Sequence, residues 1–162
     1  MSQTPAGPVI ELKPVPLKRY LALAMLYLLT GLLAWVAVFQ PPAALGWHVF
    51  LWGFALATLV LANATGKATA QSLHLREDGL FSADGVRLVD LADIRAVERG
   101  AFAFKPSNGF LLRLKTKQPR GWAPGLWWRW GHLMGIGGVT NKVDANIMAE
   151  TLATMLVRRD TP

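Results

Sequence analysis

The feature that most constrains this chain is the absence of Asp, Glu, Lys and Arg from residues 20–66. Two apolar runs, residues 20–39 and 47–64, flank a short break that contains Pro41 and Pro42. A helix that rises about 1.5 Å per residue needs about 20 apolar residues to cross a hydrocarbon core of about 30 Å. Both runs fall within the usual range for such helices. The sequence therefore predicts a transmembrane hairpin over residues 19–66.

Charged residues on either side of the hairpin predict its orientation. Lys13, Lys18 and Arg19 precede the first run, Lys67 and Arg76 follow the second, and the connecting loop carries no charge. Under the positive-inside rule both termini lie in the cytoplasm. A cleaved signal peptide is the alternative for the first run, because Lys18 and Arg19 resemble a basic n-region. The length of the run and the second span that follows it favour the hairpin.

The segments on either side of the hairpin differ in character. Residues 1–18 contain four prolines and no helical periodicity, so we expect a flexible cytoplasmic tail. Residues 67–162 have room for one small cytoplasmic domain. The chain has no Cys, which excludes disulfides, thiolate metal sites and thiol nucleophiles.

Alternation of apolar and polar residues predicts antiparallel strands in this domain. Short strands and turns follow one another from residue 72 to residue 99, and residues 110–117 alternate apolar with basic side chains. Residues 118–125 are expected to form a loop, because they contain two prolines and two glycines, and a short strand is expected over residues 126–130. A C-terminal helix is predicted over residues 141–158, with an apolar side made of Met148, Ala149, Leu152, Met155 and Leu156.

Three phrases of the sequence carry a resemblance to a known family. They are VDLADIRAVE at residues 89–98, PGLWWR at residues 124–129 and GIGGVT at residues 135–140. Together with the hairpin they resemble bacterial two-span membrane proteins with a C-terminal pleckstrin-homology-like domain. The resemblance implies an α+β domain, an antiparallel β-sandwich or partly open barrel capped by a C-terminal helix, in the bacterial cytoplasmic (inner) membrane. It implies no particular activity, because this fold serves mainly as a binding platform.

Basic and aromatic residues are concentrated in one part of the predicted domain. Residues 99–143 contain eight Lys or Arg residues and no Asp or Glu. A domain tethered beside an anionic leaflet gains about 1 kcal/mol for each Lys or Arg near the surface. The alternative is a solvated basic sheet face above a core filled by tryptophans. The candidate basic binding face is Arg113, Lys115, Lys117, Arg120 and Arg129, and the candidate membrane-interface aromatics are Trp47, Trp122, Trp127 and Trp128.

Other patterns indicate structure rather than chemistry. His48 lies at the start of the second span and is expected to anchor it at the interface, while His74 and His132 lack the spacing of metal ligands. Asp90 and Asp93 are expected to end turns, and the glycines of residues 135–138 are expected to form a tight turn rather than a phosphate-binding loop. No nucleic-acid motif accompanies the basic residues, so nucleic acid is disfavoured as a partner. We expect no catalytic, metal or cofactor site.

The sequence thus predicts a non-enzymatic integral membrane protein that presents a small binding module at the cytoplasmic face. The first hypothesis is an adaptor or accessory subunit that docks another membrane-associated protein. The alternative is a sensor or binder of anionic lipid or a small anion through the basic sheet face. Small residues within the spans also permit self-association, and these residues are Gly31, Gly53, Ala55 and Ala57.

Overall fold

The computed structural model describes residues 10–99 and 107–160. Helices α1 (Pro16–Phe39) and α2 (Leu45–Ala68) form an antiparallel hairpin joined by a short break. Both are longer than the predicted apolar runs, and they contact each other along small residues such as Ala55 and Ala62, which are buried. Thr30 Oγ1 donates a hydrogen bond to Thr58 Oγ1 at 2.9 Å across this contact. Close packing of small residues with a few polar bridges is typical of helix pairs in membranes.

Most of the hairpin surface is left uncovered by the described part of the protein. The most apolar 18-residue windows of α1 and α2 have mean hydropathies of 2.3 and 1.8, yet only 6% and 17% of them are buried. A core helix of a soluble domain would be mostly buried, whereas these helices expose large apolar side chains along their length. The structure therefore has two helices that are long and apolar enough to cross a membrane.

The rest of the described chain is a sandwich of two antiparallel sheets and one helix. The first sheet contains β1 (Ile10–Leu12), β2 (Leu73–Arg76), β3 (Gly79–Ser82) and β4 (Arg87–Asp90) in that order. A 3₁₀ turn (Leu91–Asp93) leads into the second sheet, which contains β5 (Ile94–Glu98), β6 (Phe110–Ala123) and β7 (Trp127–Ile136). Helix α3 (Lys142–Asp160) covers the core. The predicted combination of a helical hairpin with an α+β domain is confirmed at this level.

Strand β1 precedes the hairpin, so the hairpin is inserted between the first two strands of the sandwich. Leu12 pairs with Leu73 of β2 and is fully buried. Pro14 then forms an isolated antiparallel β-bridge with Thr140, and the Val15 amide donates to the Val139 carbonyl at 2.8 Å. The predicted flexible tail is therefore wrong for the stretch that starts at β1, because this stretch pairs with strands far away in the sequence. The rest of that tail, residues 1–9, lies outside the described residues.

The apolar face of β6 and the apolar side of α3 belong to the core as the sequence predicts, although Leu111, on the other side of β6, is buried as well. Phe110, Leu112 and Leu114 of β6 point into the sandwich and are buried, and α3 supplies Met148 and Leu152 from the predicted apolar side. The predicted C-terminal helix is confirmed, and it extends two residues further to Asp160. Near its end, Arg159 Nη1 donates to the carbonyls of Leu91 at 2.7 Å and Ile94 at 3.1 Å, which fixes the helix to the turn between the two sheets.

The predicted loop over residues 118–125 is wrong for most of its length, because β6 continues to Ala123 and pairs with β7 as a long two-stranded ribbon. Register shifts flank the pair of Gln118 with Gly131, whose φ of +61° is a conformation that favours glycine. The ribbon folds back beyond this point, so that its tip meets the chain that follows β7. There the Val139 amide donates to the Gly125 carbonyl at 3.0 Å. Prolines and glycines thus mark a bend and a tip of the ribbon rather than a loop.

Candidate functional site

The distal half of this ribbon, residues 118–131, carries four tryptophans and is called here the tryptophan ribbon. Trp122 and Trp128 are directly opposite each other on the two strands, and Gly121 is opposite Arg129. Trp127 packs against the core, whereas Trp122 and Trp130 are each 65% exposed. Such exposure of large indole rings is costly in water and is typical of surfaces that meet a partner or a membrane interface.

Gly121 is required for the arrangement of the inner side of the ribbon. A Cβ at this position would lie 2.8 Å from Cη2 and 2.9 Å from Cζ3 of Trp127, closer than van der Waals contact allows. The absence of a side chain lets the indole lie across the strand, with the Arg129 guanidinium carbon 5.9 Å from the ring centroid. Gly121 therefore makes room for the Trp127 indole, beside which the Arg129 guanidinium lies.

Arg129 ties the tryptophan ribbon to the first sheet. Its Nε donates to the Pro119 carbonyl at 2.9 Å, and its Nη1 donates to the Leu88 carbonyl of β4. Burial lowers the pKa of Arg129 from its ordinary value, because the guanidinium is partly removed from water. Two nitrogens of this side chain are thus bound to backbone carbonyls, while Nη2 would lie 3.7 Å from a Cβ at Gly121, on the side of the strand that the Trp127 ring covers.

A cavity of about 400 Å³ opens on the tryptophan ribbon and is called here the ribbon cavity. The Arg120 guanidinium carbon lies 4.5 Å from the Trp130 ring centroid, a cation–π contact at the edge of the cavity. Its walls are mainly indole surface, with the Arg120 guanidinium at the edge, and the register of the ribbon places the Arg129 side chain on the opposite side with Trp127. The lining residues are Arg120, Gly121, Trp122, Trp128, Arg129 and Trp130.

A second, apolar depression of about 510 Å³ runs along α2 and is called here the α2 groove. It is lined by Gly53, Leu56, Ala57, Val60, Leu61, Ala64 and Trp122. Trp122 therefore borders both depressions. The tip of the ribbon is held nearby, since a Cβ on Gly125 would lie 3.1 Å from Cγ2 of Thr69 and 3.7 Å from Cγ2 of Thr65, at the same end of α2. The tryptophan ribbon is thus placed beside the helix that the sequence assigns to the membrane.

The structure spreads the predicted basic face over several environments. Arg113 forms an ion pair with Glu98 of β5, while Lys115 and Lys117 are exposed. Arg120 and Arg129 belong to the ribbon cavity, away from the first three along the bent ribbon. Arg113 and Lys115 instead share an open cleft of about 290 Å³ with Arg95 and His132, two residues that the alternation of β6 alone could not indicate.

The remaining sequence candidates lie apart from the ribbon. Trp47 is near the opposite end of α2, with its ring 5.6 Å from that of Phe50. His48 accepts a hydrogen bond from Nε1 of Trp52 at 3.2 Å. Asp93 accepts a hydrogen bond from Thr116 Oγ1 at 2.7 Å in the turn between the sheets. Within residues 10–99 and 107–160, no group of three or more His, Asp or Glu residues is placed to hold a metal ion.

These features define the class of protein to which the chain belongs structurally. It is an apolar helical hairpin joined to an α+β sandwich, with a tryptophan-rich ribbon held against one helix of the hairpin. Comparison of the chain with protein-family models, with curated proteins and with solved structures finds no match.

Proposed function

We propose that the chain is a non-enzymatic integral protein of the bacterial cytoplasmic membrane, with both termini in the cytoplasm. Its hairpin spans the bilayer and holds a pleckstrin-homology-like module against the inner leaflet, where the module binds or senses anionic lipid. One observation carries this proposal. Trp122 borders the ribbon cavity of the module and also the α2 groove of the hairpin, so the module lies beside an apolar side of a helix that we propose to span the bilayer.

A contact between hairpin and module supports this arrangement, because Lys18 Nζ donates to the Thr140 carbonyl at 3.0 Å. Within the hairpin, Arg19 Nη2 of α1 donates to the Gly66 carbonyl of α2 at 3.3 Å. These cations lie at the ends of the hairpin that enter the sandwich, where Lys67 lies in the last turn of α2. Positive charge at these ends favours the cytoplasmic side. The sandwich then begins directly at the membrane surface, without a linker.

The architecture supports the pleckstrin-homology-like assignment. Four strands in one sheet, three in the other and a terminal helix match the capped sandwich or partly open barrel that the sequence resemblance implies. The electrostatics support the choice of ligand. Lys115, Lys117 and Arg120 are exposed, and each cation near an anionic surface contributes about 1 kcal/mol to attraction.

The proposal is tested by measuring how deeply the tryptophan ribbon lies in a bilayer. Because the chain has no Cys, Trp130→Cys and Arg158→Cys each give a single labelling site for a nitroxide. Full-length protein is placed in lipid nanodiscs, and label depth is measured by the accessibility of the nitroxide to oxygen and to a water-soluble nickel complex. Arg158 is the control, because it lies at the other end of α3 from Thr140, about 24 Å along the helix at 1.5 Å per residue.

We expect the label at position 130 to lie in the headgroup layer and the label at position 158 to lie in water. The depth at position 130 should persist at high salt, since indole rings and apolar contact hold the ribbon there as well as charge. Equal exposure of both labels to water would contradict the proposal.

A role as an adaptor or accessory subunit is the second candidate. Val143 and Ile147 lie one turn apart on α3 and are 61% and 48% exposed. Apolar neighbours on an exposed helix face are suited to a protein contact. A photo-crosslinking residue at position 147 should then capture a partner in native membranes, and Ile147→Lys should abolish co-purification of that partner. Failure to crosslink at position 147, with efficient membrane insertion, would remove this candidate.

A further inference from the structure

We propose that the ribbon cavity and the α2 groove together bind one molecule of an anionic glycerophospholipid. Its phosphodiester lies against Arg120, and one acyl chain lies in the α2 groove. The inference rests on the proposed function, because an acyl chain reaches this groove only if the hairpin spans the bilayer. It adds a defined, saturable site to a general attraction between the module and the lipid surface.

The apolar half of the site is the α2 groove, which lies on a side of α2 that does not pack against α1. The residues of α2 that pack toward α1 are buried and include Ala55, Thr58 and Ala62. The groove residues recur at a helical spacing on a different side, and they include Gly53 and Ala57, which have little or no side chain. From residue 53 to residue 64 the groove extends about 16 Å at 1.5 Å per residue, comparable with an extended acyl chain.

The polar half of the site has the charge that a phosphodiester requires. Arg120 lines the ribbon cavity with its guanidinium over the Trp130 ring, and no carboxylate is among the lining residues. The Arg129 side chain lies on the opposite side of the ribbon, where Nε and Nη1 donate to backbone carbonyls, so Arg120 is the cation that a phosphate would meet. Planar guanidinium groups suit phosphate oxygens, and apolar walls strengthen the attraction by excluding water.

The charge of Arg120 selects among headgroups. A zwitterionic headgroup carries an ammonium group, which Arg120 repels, whereas an anionic headgroup leaves the phosphodiester charge uncompensated. The order of the parts along the site also matches a phospholipid, because Trp122 borders both the ribbon cavity that Arg120 lines and the α2 groove. An indole at this point is suited to the glycerol and ester region of a lipid.

The test uses full-length protein, delipidated in a mild non-ionic detergent and titrated with defined lipids while bound lipid is counted by native mass spectrometry. The probes are phosphatidylglycerol and phosphatidylcholine with identical acyl chains. We expect one phosphatidylglycerol to bind saturably and about tenfold more tightly than phosphatidylcholine, as for one good charge-assisted contact. Equal affinity for the two lipids would overturn the inference.

Two variants examine the two halves of the site separately. Arg120→Gln should weaken phosphatidylglycerol binding about tenfold and leave phosphatidylcholine binding unchanged. Ala57→Phe should fill the α2 groove and weaken the binding of both lipids. The matched controls are Lys142→Gln, an exposed cation on α3, and Leu59→Phe, a position on α2 outside the groove, and neither should change binding.

The outcomes distinguish this inference from the proposed function. A label at position 130 in the headgroup layer, together with unselective lipid binding, would overturn the lipid site alone. Unchanged phosphatidylglycerol binding in Arg120→Gln would do the same. A label at position 130 in water would overturn the proposed function and the lipid site together.

Discussion

At the scale of single residues, the arrangement of the tryptophan ribbon depends on one missing side chain. Gly121 lets the Trp127 ring cross the strand, and the ring in turn lies beside the Arg129 guanidinium. The pattern of the sequence indicated a loop here, since a glycine between prolines is typical of loops. Gly121 must be a glycine because the Trp127 indole lies against it, and this contact depends on the register of β6 and β7, which cannot be read from the sequence.

We expect Gly121→Ala to destabilise the protein by about 1–2 kcal/mol, because the added Cβ displaces the Trp127 ring from the strand. Thermal unfolding in detergent, followed by near-ultraviolet circular dichroism, measures the change. Gly46→Ala is the control, since a Cβ there would meet nothing within 4 Å. A midpoint for Gly121→Ala equal to that of the control would argue against the close contact.

A second expectation at this scale concerns Glu11 in β1. Hydrogen bonding to Lys13 Nζ, and then to Ser72, lowers the pKa of this carboxyl below its ordinary value. The folded state therefore favours the ionised form, and this contribution is present above the ordinary carboxyl pKa and lost as pH falls through the folded value. Stability of Glu11→Gln should depend less on pH in the acid range than stability of the natural chain. The same change of stability with pH in the two proteins, measured by acid unfolding, would contradict this expectation.

At the scale of elements, the sequence predicts a strand whose residues alternate between apolar and polar. It does not predict a strand that forms only because it pairs with a strand distant in the sequence. The core face of β6 follows from Phe110, Leu112 and Leu114, and α3 follows from its apolar side. Strand β1 is three residues long, too short for any period to be visible, and β2 determines its pairing.

The sequence predicts part of the candidate site, since Arg120, Arg129, Trp122 and Trp128 are sequence candidates and all line the ribbon cavity. Their contact with α2 requires the fold.

We expect Leu12→Ala to destabilise the sandwich by about 2–4 kcal/mol, because it removes a fully buried side chain from the core. The same substitution at Leu17, which is exposed on α1, is the control and should change stability by much less. Chemical unfolding of the detergent-solubilised proteins measures both. Equal effects at the two positions would show that β1 does not belong to the core.

At the scale of the whole molecule, the sandwich is built from two separate parts of the sequence, because β1 precedes the hairpin and pairs with β2, which follows it. The sequence predicted a hairpin followed by a separate domain over residues 67–162. The sequence does not show that the hairpin is inserted between β1 and β2, because the order of the elements suggests a hairpin followed by a domain. The pairing of β1 with β2 in the structure shows the insertion.

We therefore expect a fragment of residues 67–162 to lack fixed tertiary structure. A chain in which a short Gly/Ser linker replaces residues 16–68 should recover it, because the linker restores β1 to the sheet and removes only the hairpin. Dispersion of amide signals in nuclear magnetic resonance spectra distinguishes the two. A well-dispersed spectrum from the fragment without β1 would contradict the insertion.

The depth of the tryptophan ribbon relative to the hairpin shows whether the ribbon lies at the membrane surface. Nitroxide labels at Trp130→Cys and at Lys67→Cys, the latter in the last turn of α2, are compared in the same nanodiscs. We predict that both labels lie within the headgroup layer, at depths that agree to within about one helical turn, or about 5 Å. A label at position 130 in bulk water, with position 67 at the interface, would contradict it.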